Sequence, residues 1–315
     1  MYHEPTQHSA RGKWRGILLE LGVPEKALTG KHTACPLCGG SDRFRFDDQD
    51  RRGTYICGQC GAGDGMKLAM EFTGQPFPDV ARRIDQMLGN IKADGQPVAS
   101  KLSEDDRRRL LRETYAASRP VTGGDLAHKY LASRYLQESF YPKALRFAPA
   151  LRDGEGGLRP AMLACVGVYG APKFVSIHRT FLKPDGSGKA EMASPRKMMP
   201  GDLPDGACVP LSEYMGGPLG IAEGIETAMG ACALYSMPVW SAVNSAILKK
   251  WTPPEGCTEV IIFGDNDPKH GGQAAAYHLA HRLSLKGIDV EVRIPTTPGK
   301  DWADMWVERK QGQAK

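Results

Sequence analysis

The stretch EVIIFGDNDPKHGG, residues 259–272, indicates the fold class. Its apolar run, residues 260–263, has the composition of a buried strand and is followed at once by Gly264, Asp265 and Asp267. In open α/β sheets, binding sites lie beyond the carboxyl ends of the strands. We therefore expect the two aspartates at the edge of a sheet, outside the core.

The last third of the chain repeats this strand pattern in alternation with helical segments. Strands are predicted at residues 219–222, 239–243, 259–263 and 288–294, and helices at 225–235, 273–286 and 302–309. Such alternation is typical of a parallel α/β sheet. Glu223 directly follows the first of these strands, so Glu223, Asp265 and Asp267 are expected at one edge of the sheet.

Three carboxylates at one edge repel each other unless cations lie between them. Oxygen ligands suit Mg²⁺ or Mn²⁺, and the adjacent Gly224 and Gly264 allow close approach of backbone and substrate. The alternative is that these acids are turn and helix-cap residues, which is common for aspartate after a strand. Each acid alone favours the second interpretation, whereas the set of three favours a catalytic metal site at Glu223, Asp265 and Asp267.

Eight cysteines divide into two groups. Four form the pairs CPLC and CGQC with 18 residues between them, a spacing typical of a zinc ribbon. Four thiolates complete the closed tetrahedron of structural zinc, whereas the alternative is two redox or disulfide pairs. The predicted zinc ligands are Cys35, Cys38, Cys57 and Cys60. The remaining cysteines are expected to be inert, partly buried thiols: Cys165, Cys208, Cys232 and Cys257.

Arginines alternate with phenylalanines between the two cysteine pairs, in the run RFRF at 43–46. Alternation places one set of side chains on each face of a β-ribbon. Phe44, Phe46 and Tyr55 are expected to form the small core of the ribbon, although a stacking surface for bases is the alternative. The arginines are expected to contact nucleic acid, and exposure to water alone is the alternative for them: Arg43, Arg45, Arg51 and Arg52.

The middle of the chain is basic, with 12 Lys and Arg against 6 Asp and Glu over residues 121–200. Six basic side chains fall within twenty residues and could bind a nucleoside triphosphate or a template backbone, because phosphates dominate such affinity. An exposed hairpin that is basic by chance is the alternative. The six are His178, Arg179, Lys183, Lys189, Arg196 and Lys197.

The same region contains GSGK at 186–189, which resembles part of a nucleotide-binding loop. It lacks the upstream glycine and the Ser or Thr that should follow the lysine. We therefore exclude a P-loop here and, with it, an ATP-driven motor in this sequence.

Composition and charge limit the class of protein. The 315 residues are 41% apolar and 24% charged, with a net charge of +5, as expected for two folded domains of ordinary type. No apolar run approaches a membrane span, and the N-terminus lacks the apolar core of a signal peptide, so we expect a cytoplasmic location without membrane contact. Residues 201–315 are acidic, with 14 Asp and Glu against 10 Lys and Arg. A basic region beside an acidic one suits a protein that holds a polyanion next to a cation site, although solvated surface alone can also produce this bias.

Domain boundaries follow from composition. Residues 90–102 resemble a linker, and Ser103 with Asp106 forms a capping box that leads into a basic helix. The predicted fold class is mixed α/β, with a small zinc ribbon, a basic α+β subdomain and a parallel α/β domain. The predicted divisions are 1–89, 90–120, 121–215 and 216–315.

Two motifs of the last third resemble those of a known fold. AEGIETA at 222–228, together with FGDNDPKHGGQAAA at 263–276, is similar to the TOPRIM domain of DnaG-type primases, topoisomerases, recombination mediators and some nucleases. With CPLCGGSDRFRF, ICGQCGAGDG, HRTFLKPDGSGKA and PGKDWADMW, most of the chain resembles the DNA primases of phages, plasmids and mobile elements.

The resemblance implies roles for individual residues. Asp265 and Asp267 match the acidic pair that binds divalent metal, and Glu223 matches the glutamate that assists acid–base chemistry. Asp301 and Asp304 match a later acidic motif, although a helix cap and first helical turn explain them equally well. Glu226 is expected on the helix surface.

The implied activity is synthesis of RNA primers from nucleoside triphosphates on single-stranded DNA. The zinc ribbon would hold the template, and a separate helicase is the expected partner. Two other classes remain open: a recombination mediator, which pairs a zinc site with TOPRIM but is not catalytic, and a TOPRIM nuclease. A topoisomerase would need a larger chain.

Overall fold

The computed structural model describes residues 6–89, 91, 93–94, 103–201 and 203–313. The chain divides into two compact units, residues 1–101 and 102–315. Most of the predicted linker at 90–102 lies outside the described residues. Within the described ranges, no helix has both the length and the apolar composition needed to cross a membrane.

The first unit contains a four-stranded antiparallel sheet in the order β1-β2-β3-β4. Its strands are β1 (Thr33–Cys35), β2 (Gly39–Phe46), β3 (Tyr55–Cys57) and β4 (Gly61–Gly63). Its helices are α1 (Thr6–Ser9), α2 (Trp14–Glu20), α3 (Gly65–Thr73) and α4 (Phe77–Met87). Each pair of cysteines spans the turn between two strands, which places both pairs at the same end of the ribbon.

The alternation on β2 creates the core of this unit. Phe44 and Phe46 are buried, and Phe44 stacks on the buried Tyr55 with 5.4 Å between ring centroids. Trp14 and Ile17 of α2 join the same cluster. The expectation that the ribbon aromatics form its core is therefore confirmed.

The second unit begins with helix α5 (Glu104–Ala116), whose first turn is capped by the Ser103 hydroxyl as predicted: Oγ accepts the N–H of Asp106 at 3.0 Å. An antiparallel sheet of six strands follows, with β5 to β9 in order and β10 beside β7. The strands are β5 (Arg119–Pro120), β6 (Leu145–Arg152), β7 (Leu158–Val168), β8 (Ser176–Phe181), β9 (Arg196–Met198) and β10 (Ala207–Cys208). Helix α6 (Leu126–Ala132) lies between β5 and β6 in the chain.

The chain ends in a parallel four-stranded sheet in the order β12-β11-β13-β14. The strands are β11 (Leu219–Ala222), β12 (Val239–Ser241), β13 (Glu259–Phe263) and β14 (Asp289–Arg293). The helices are α7 (Ile225–Tyr235), α8 (Ser245–Lys250), α9 (Gly271–Ser284) and α10 (Trp302–Gln313). The predicted parallel α/β domain is confirmed, and α8 is an element that the pattern did not predict.

Helix α7 is buried on two sides. Ala228 and Ala231 pack with the parallel sheet, whereas Ile225 and Met229 pack with residues of the antiparallel sheet. A helix that is apolar all round is expected in such an interior position. The two sheets of the second unit therefore meet at α7, whose N-terminus follows Glu223.

Candidate active site and zinc centre

The four paired cysteines converge on one point. Their Sγ atoms all lie within 4.8 Å of one another, with 3.9 Å from Cys35 to Cys60 and 3.7 Å from Cys38 to Cys57. A tetrahedron with Zn–S bonds of about 2.3 Å has edges of about 3.8 Å. These spacings fit one zinc ion with four thiolate ligands.

Backbone and side-chain donors stabilise thiolate charge at this centre. The N–H groups of Leu37 and Gln59 each donate to a ligand sulfur at 3.4 Å. Hydrogen bonds from Cys57 and then Cys60 lower the pKa of the Cys35 thiol. All eight cysteines are free thiols, so the alternative of two disulfide pairs is not observed. Burial raises the pKa of Cys165 to about 11 and of Cys208 to about 12, as expected for inert thiols, whereas Cys232 is exposed and departs from the expectation of burial.

The predicted template-binding arginines lie outside the core of the ribbon. Arg43 is exposed and donates to Gln59 at 3.1 Å, and Arg45 pairs with Asp47 at 3.7 Å. The exposed Arg52 pairs with Asp64 at 3.7 Å, and the exposed Arg51 donates to a backbone carbonyl. Two of the four arginines are therefore paired with carboxylates of the first unit, and template binding by the four stays a prediction.

The register of the parallel sheet brings the first two acids together. Ala222 of β11 pairs with Phe263 of β13, so Glu223 and Asp265 follow neighbouring strands at one edge. Asp265 is half-buried, and its Oδ1 is fully covered and has no hydrogen-bond partner among the described residues. Burial, followed by the negative charges of Glu223 and Asp301, raises the pKa of Asp265 well above its ordinary value. A covered carboxylate oxygen without a donor, surrounded by other acids, is the environment that a divalent cation would stabilise.

Asp267, at the same edge of the sheet, stabilises the loop that leads into α9. Its Oδ2 accepts the N–H of Gly272 at 2.8 Å, in the first turn of α9. A Cβ at position 272 would lie 2.6 Å from the carbonyl oxygen of Asp265, so only glycine allows this close approach. The loop between β13 and α9 therefore holds Asp265 and Asp267 in fixed positions.

Asp301 and Asp304 form a capping box at the start of α10. Asp301 Oδ1 accepts the N–H of Asp304 at 2.8 Å, and Asp304 Oδ2 accepts the N–H of Asp301 at 3.3 Å. The helix-cap interpretation of both residues is thus observed. Asp301 also lies near enough to Asp265 for its charge to act on that carboxyl, and burial raises the pKa of Asp301.

The carboxylates are close, but they do not form a compact chelating set. In the part of the chain that the structure describes, the four cysteines are the one group of three or more metal-ligand side chains with all donor atoms within 4.8 Å. The donor chemistry of Glu223, Asp265 and Asp267 suits Mg²⁺ or Mn²⁺. Binding of a single ion by all three would require their side chains to move together.

The position of Glu226 differs from the one expected from the sequence. It is buried, not on the helix surface as expected, and its Oε1 accepts a short hydrogen bond from the Tyr130 hydroxyl and pairs with Lys189 Nζ at 3.3 Å. Burial alone would raise the pKa of Glu226, but the Lys189 ammonium and the Tyr130 hydroxyl outweigh it, and the pKa is lowered. Glu226 is therefore an ionised carboxylate inside the second unit.

The six basic residues of the middle region do not share one surface, because the pleat of β8 divides them. His178 lies beside Ala164 and Met198, on the face that packs against α7, whereas Arg179 lies beside Leu163 and Lys197 on the opposite face. His178 is buried, and burial together with the charge of Arg196 lowers its pKa to about 4, so it is neutral at pH 7.

The remaining basic side chains differ in their partners. Lys183 pairs with Glu191 at 2.8 Å, and Lys197 Nζ donates to the Asp153 carbonyl at 2.7 Å. Arg196 is exposed, and its charge reaches Asp265, His178 and Glu226. Of the six, Lys189 pairs with Glu226 and Arg196 acts on Asp265.

Three family models match the chain. They are a zinc-binding domain of primase-helicase at residues 30–66, a domain of unknown function (DUF7146) at 105–210 and a Toprim domain at 218–312. The first contains the four cysteines, and the last contains Glu223, Asp265, Asp267, Asp301 and Asp304. Residues 105–210, which supply Tyr130, Lys189 and Arg196, carry no assigned function in that model.

Solved structures of primases show limited similarity to the chain. The primase fragment of the bacteriophage T7 primase-helicase protein is 16% identical, with 90% of this chain and 97% of that chain covered and a TM-score of 0.39. The zinc-binding and RNA polymerase domains of the Aquifex aeolicus primase are 16% identical, with 99% and 84% covered and a TM-score of 0.43. A DnaG primase catalytic domain bound to single-stranded DNA is 12% identical, with 66% and 70% covered and a TM-score of 0.35.

The assignment of the domains rests on the family models and on the geometry described above. The four-cysteine centre lies within the matched zinc-binding domain, and the acidic edge of the parallel sheet lies within the matched Toprim domain. The chain therefore combines an N-terminal zinc-binding domain of the primase-helicase type with a C-terminal Toprim domain.

Proposed function

We propose that this protein is a DNA primase that synthesises short RNA primers on a single-stranded template by metal-dependent nucleotidyl transfer. The observation that supports this most directly is the covered, unpartnered Oδ1 of Asp265 among the charges of Glu223, Asp267 and Asp301, in a Toprim domain that is joined to a primase-type zinc ribbon. A site built in this way is electrostatically incomplete without a cation.

In this proposal, Asp265 and Asp267 hold Mg²⁺ or Mn²⁺ together with Glu223. Such a cation would neutralise charge on the triphosphate and lower the pKa of the 3′-hydroxyl, which attacks the α-phosphate as pyrophosphate leaves. Glu223 lies at the end of β11, the strand next to the one that leads to Asp265, and in this proposal it accepts a proton from that hydroxyl. Asp301 caps α10, adds negative charge beside Asp265 and, in this proposal, is a further metal ligand.

The basic side chains serve as contacts for phosphates. Arg196 is exposed beside the carboxylate site, where it can bind the phosphates of the incoming nucleotide. Arg43, Arg45, Arg51 and Arg52 of the zinc ribbon can bind the template backbone, because guanidinium groups on a surface bind phosphates without regard to sequence. A replicative helicase on a separate chain and a phage, plasmid or mobile-element origin complete the proposal.

One assay separates this activity from its alternatives. The zinc-loaded protein is incubated with single-stranded DNA, labelled ribonucleotides and Mg²⁺ or Mn²⁺. We expect oligoribonucleotides whose formation is lost in the Asp265→Asn variant. Cleavage of the DNA would instead identify a Toprim nuclease, and template binding without synthesis or cleavage would identify a non-catalytic recombination or replication protein. Either of these outcomes would refute the primase proposal.

A further inference from the structure

The end of helix α6 lies against the two Toprim helices that begin at the carboxylate site. The α6 end segment, residues 130–135, belongs to the domain without an assigned function. It makes three polar contacts with the Toprim domain: two reach residues in the first turns of α7 and α10, and the third reaches the second turn of α10. Tyr135, at its end, has a φ of 57°, which costs conformational energy in a residue other than glycine.

The first contact is to α7. The buried Tyr130 donates its hydroxyl hydrogen to Glu226, which also accepts the Lys189 ammonium. Glu226 lies in the first turn of α7, three residues after Glu223, and so moves with the backbone that carries Glu223. A buried carboxylate is stable only in the geometry that retains its donors, so this contact resists displacement of the helix start.

The second and third contacts are to α10. Arg134 Nη2 lies 3.5 Å from Asp304 Oδ1, and the Trp306 indole donates to the Tyr135 carbonyl at 2.7 Å. Asp304 is the capping-box partner of Asp301, and so Arg134 holds the side chain that fixes the N-terminus of α10.

The two Toprim helices are also joined to each other at this point. Thr227 Oγ1 donates to Asp301 Oδ2 at 3.3 Å, one residue after Glu226. Gly230 of α7 lets the start of α10 approach closely, since a Cβ there would lie 2.6 Å from the Ala303 Cα. The donors of the α6 end segment therefore act on one connected group of residues that carries both Glu223 and Asp301.

We propose that the α6 end segment positions the Toprim carboxylates for metal binding, with Tyr130 and Arg134 as positioning residues. This gives the domain of unknown function a role in the site: its own side chains set where Glu223 and Asp301 stand relative to Asp265. The inference rests on the metal site of the proposed function and adds to it the residues that organise it.

The test measures Mn²⁺ binding to the zinc-loaded full chain by electron paramagnetic resonance, alongside thermal unfolding without Mn²⁺. The variants are Tyr130→Phe and Arg134→Met, and Asp265→Asn identifies the binding that belongs to the Toprim site. Changes of this kind behind metal ligands weaken affinity by about 10- to 100-fold, and we expect on the order of tenfold for each variant. Primer synthesis by both variants should recover as the Mn²⁺ concentration is raised.

Tyr55→Phe is the matched control. Tyr55 is also a buried tyrosine that donates to a glutamate, Glu71 at 3.1 Å, but it lies in the first unit. It should lower stability without changing Mn²⁺ affinity.

The outcomes separate this inference from the primase proposal. Affinities of Tyr130→Phe and Arg134→Met within about twofold of wild type, with lower stability, would show a purely structural role and overturn the inference. Absence of Mn²⁺ binding that depends on Asp265 would overturn both proposals. If the wild type makes no primers but both variants lose Mn²⁺ affinity as expected, the primase activity is refuted and the positioning role is supported.

Discussion

Replacement of Asp265, a proposed metal ligand, should stabilise the folded protein and abolish primer synthesis. Asp265 carries a covered oxygen without a donor and lies among other negative charges. In the Asp265→Asn variant, the side chain keeps its shape and loses its charge, so the repulsion from Glu223 and Asp301 disappears. We therefore expect a higher free energy of unfolding in metal-free buffer at pH 8, together with loss of primer synthesis.

The magnitude follows from the charge of the covered oxygen, because asparagine keeps an unpartnered polar atom at this position and removes only the charge. Unpaired buried polar groups cost about 1–3 kcal/mol and charged ones more, so we take about 1–3 kcal/mol for the charge itself. For a unit of about this size, each kcal/mol changes the unfolding midpoint by about 2–4 °C. The expected gain is thus about 2–12 °C for the second unit. A divalent cation at about 100 times its dissociation constant would add about 2.7 kcal/mol to the wild type alone, enough to offset the difference.

The pH dependence has a defined sign. Because the pKa of Asp265 is raised in the folded state, the folded protein retains its proton at a pH where the unfolded chain, with an ordinary value near 3.8, has lost it. Wild-type stability should therefore fall as pH rises from that value through the raised pKa. Below pH 3.8 the wild type and Asp265→Asn should unfold alike, and the difference should be complete above the raised pKa.

Thermal unfolding followed by calorimetry, from pH 3.5 to 8 with and without Mg²⁺, measures these differences. Asp153→Asn is the control with the opposite sign. The Asp153 carboxylate accepts the N–H groups of Glu155 and Gly157, which lower its pKa to about 2, so its stabilisation is present at neutral pH and lost on acidification. Equal stability of wild type and Asp265→Asn at pH 8 without metal would refute our account of the carboxylate site.

Three other changes test separate parts of the structure. Removal of zinc, or Cys57→Ser, should unfold the first unit and leave the second folded; resistance of a zinc-free first unit to limited proteolysis would contradict the closed zinc site. Gly272→Ala should cost about 1–3 kcal/mol in thermal unfolding, because its Cβ meets the Asp265 carbonyl, and an unchanged midpoint would contradict this. Arg196→Met should weaken binding of a fluorescent ATP analogue, whereas Lys197→Met, whose ammonium is held by a backbone carbonyl, should lower stability and leave nucleotide affinity unchanged; equal effects would contradict this division.

The parts of the fold that depend on local sequence were predictable. The zinc centre follows from two CxxC pairs, because each pair alone fixes the direction of its two thiols. The placement of Glu223 and Asp265 after strands follows from the short apolar runs that precede them, whereas the pairing of β11 with β13 is a property of the whole sheet. For the zinc ligands and for the positions after the strands, the information lies within a few residues of the side chain concerned.

The environment of Glu226 was not predictable in the same way. Its partners, Tyr130 and Lys189, lie 96 and 37 residues away in the chain, and no spacing rule connects them. The sequence does contain one indirect signal: the helix at 225–235 has almost no polar residues, which predicts burial on all sides rather than a surface position for Glu226. A single acid in such a helix requires an internal partner.

The separation of the middle region's basic residues onto two faces could be predicted from the alternation of side chains along a strand. His178 and Arg179 are adjacent on a strand, so they must point to opposite faces, and a single surface containing both is excluded by the pleat. Which face is buried depends on α7, a helix nearly fifty residues later in the chain. The strand pattern alone therefore separates the two residues but does not show which one is near the carboxylates.

Part of the uneven charge distribution along the sequence is explained by ion pairs inside the second unit. Residues 121–200 are basic and residues 201–315 are acidic, a bias that suggested a polyanion beside a cation site. Part of that bias is satisfied inside the second unit, where Lys189 pairs with Glu226 and Arg134 with Asp304. The basic side chains in these ion pairs are already neutralised and therefore contribute little to a surface that binds nucleic acid. Of the six basic residues of the middle region, Arg196 is the one that is exposed and acts on Asp265 through space. We therefore expect the affinity for nucleotide to depend on Arg196 far more strongly than on the total positive charge of the middle region.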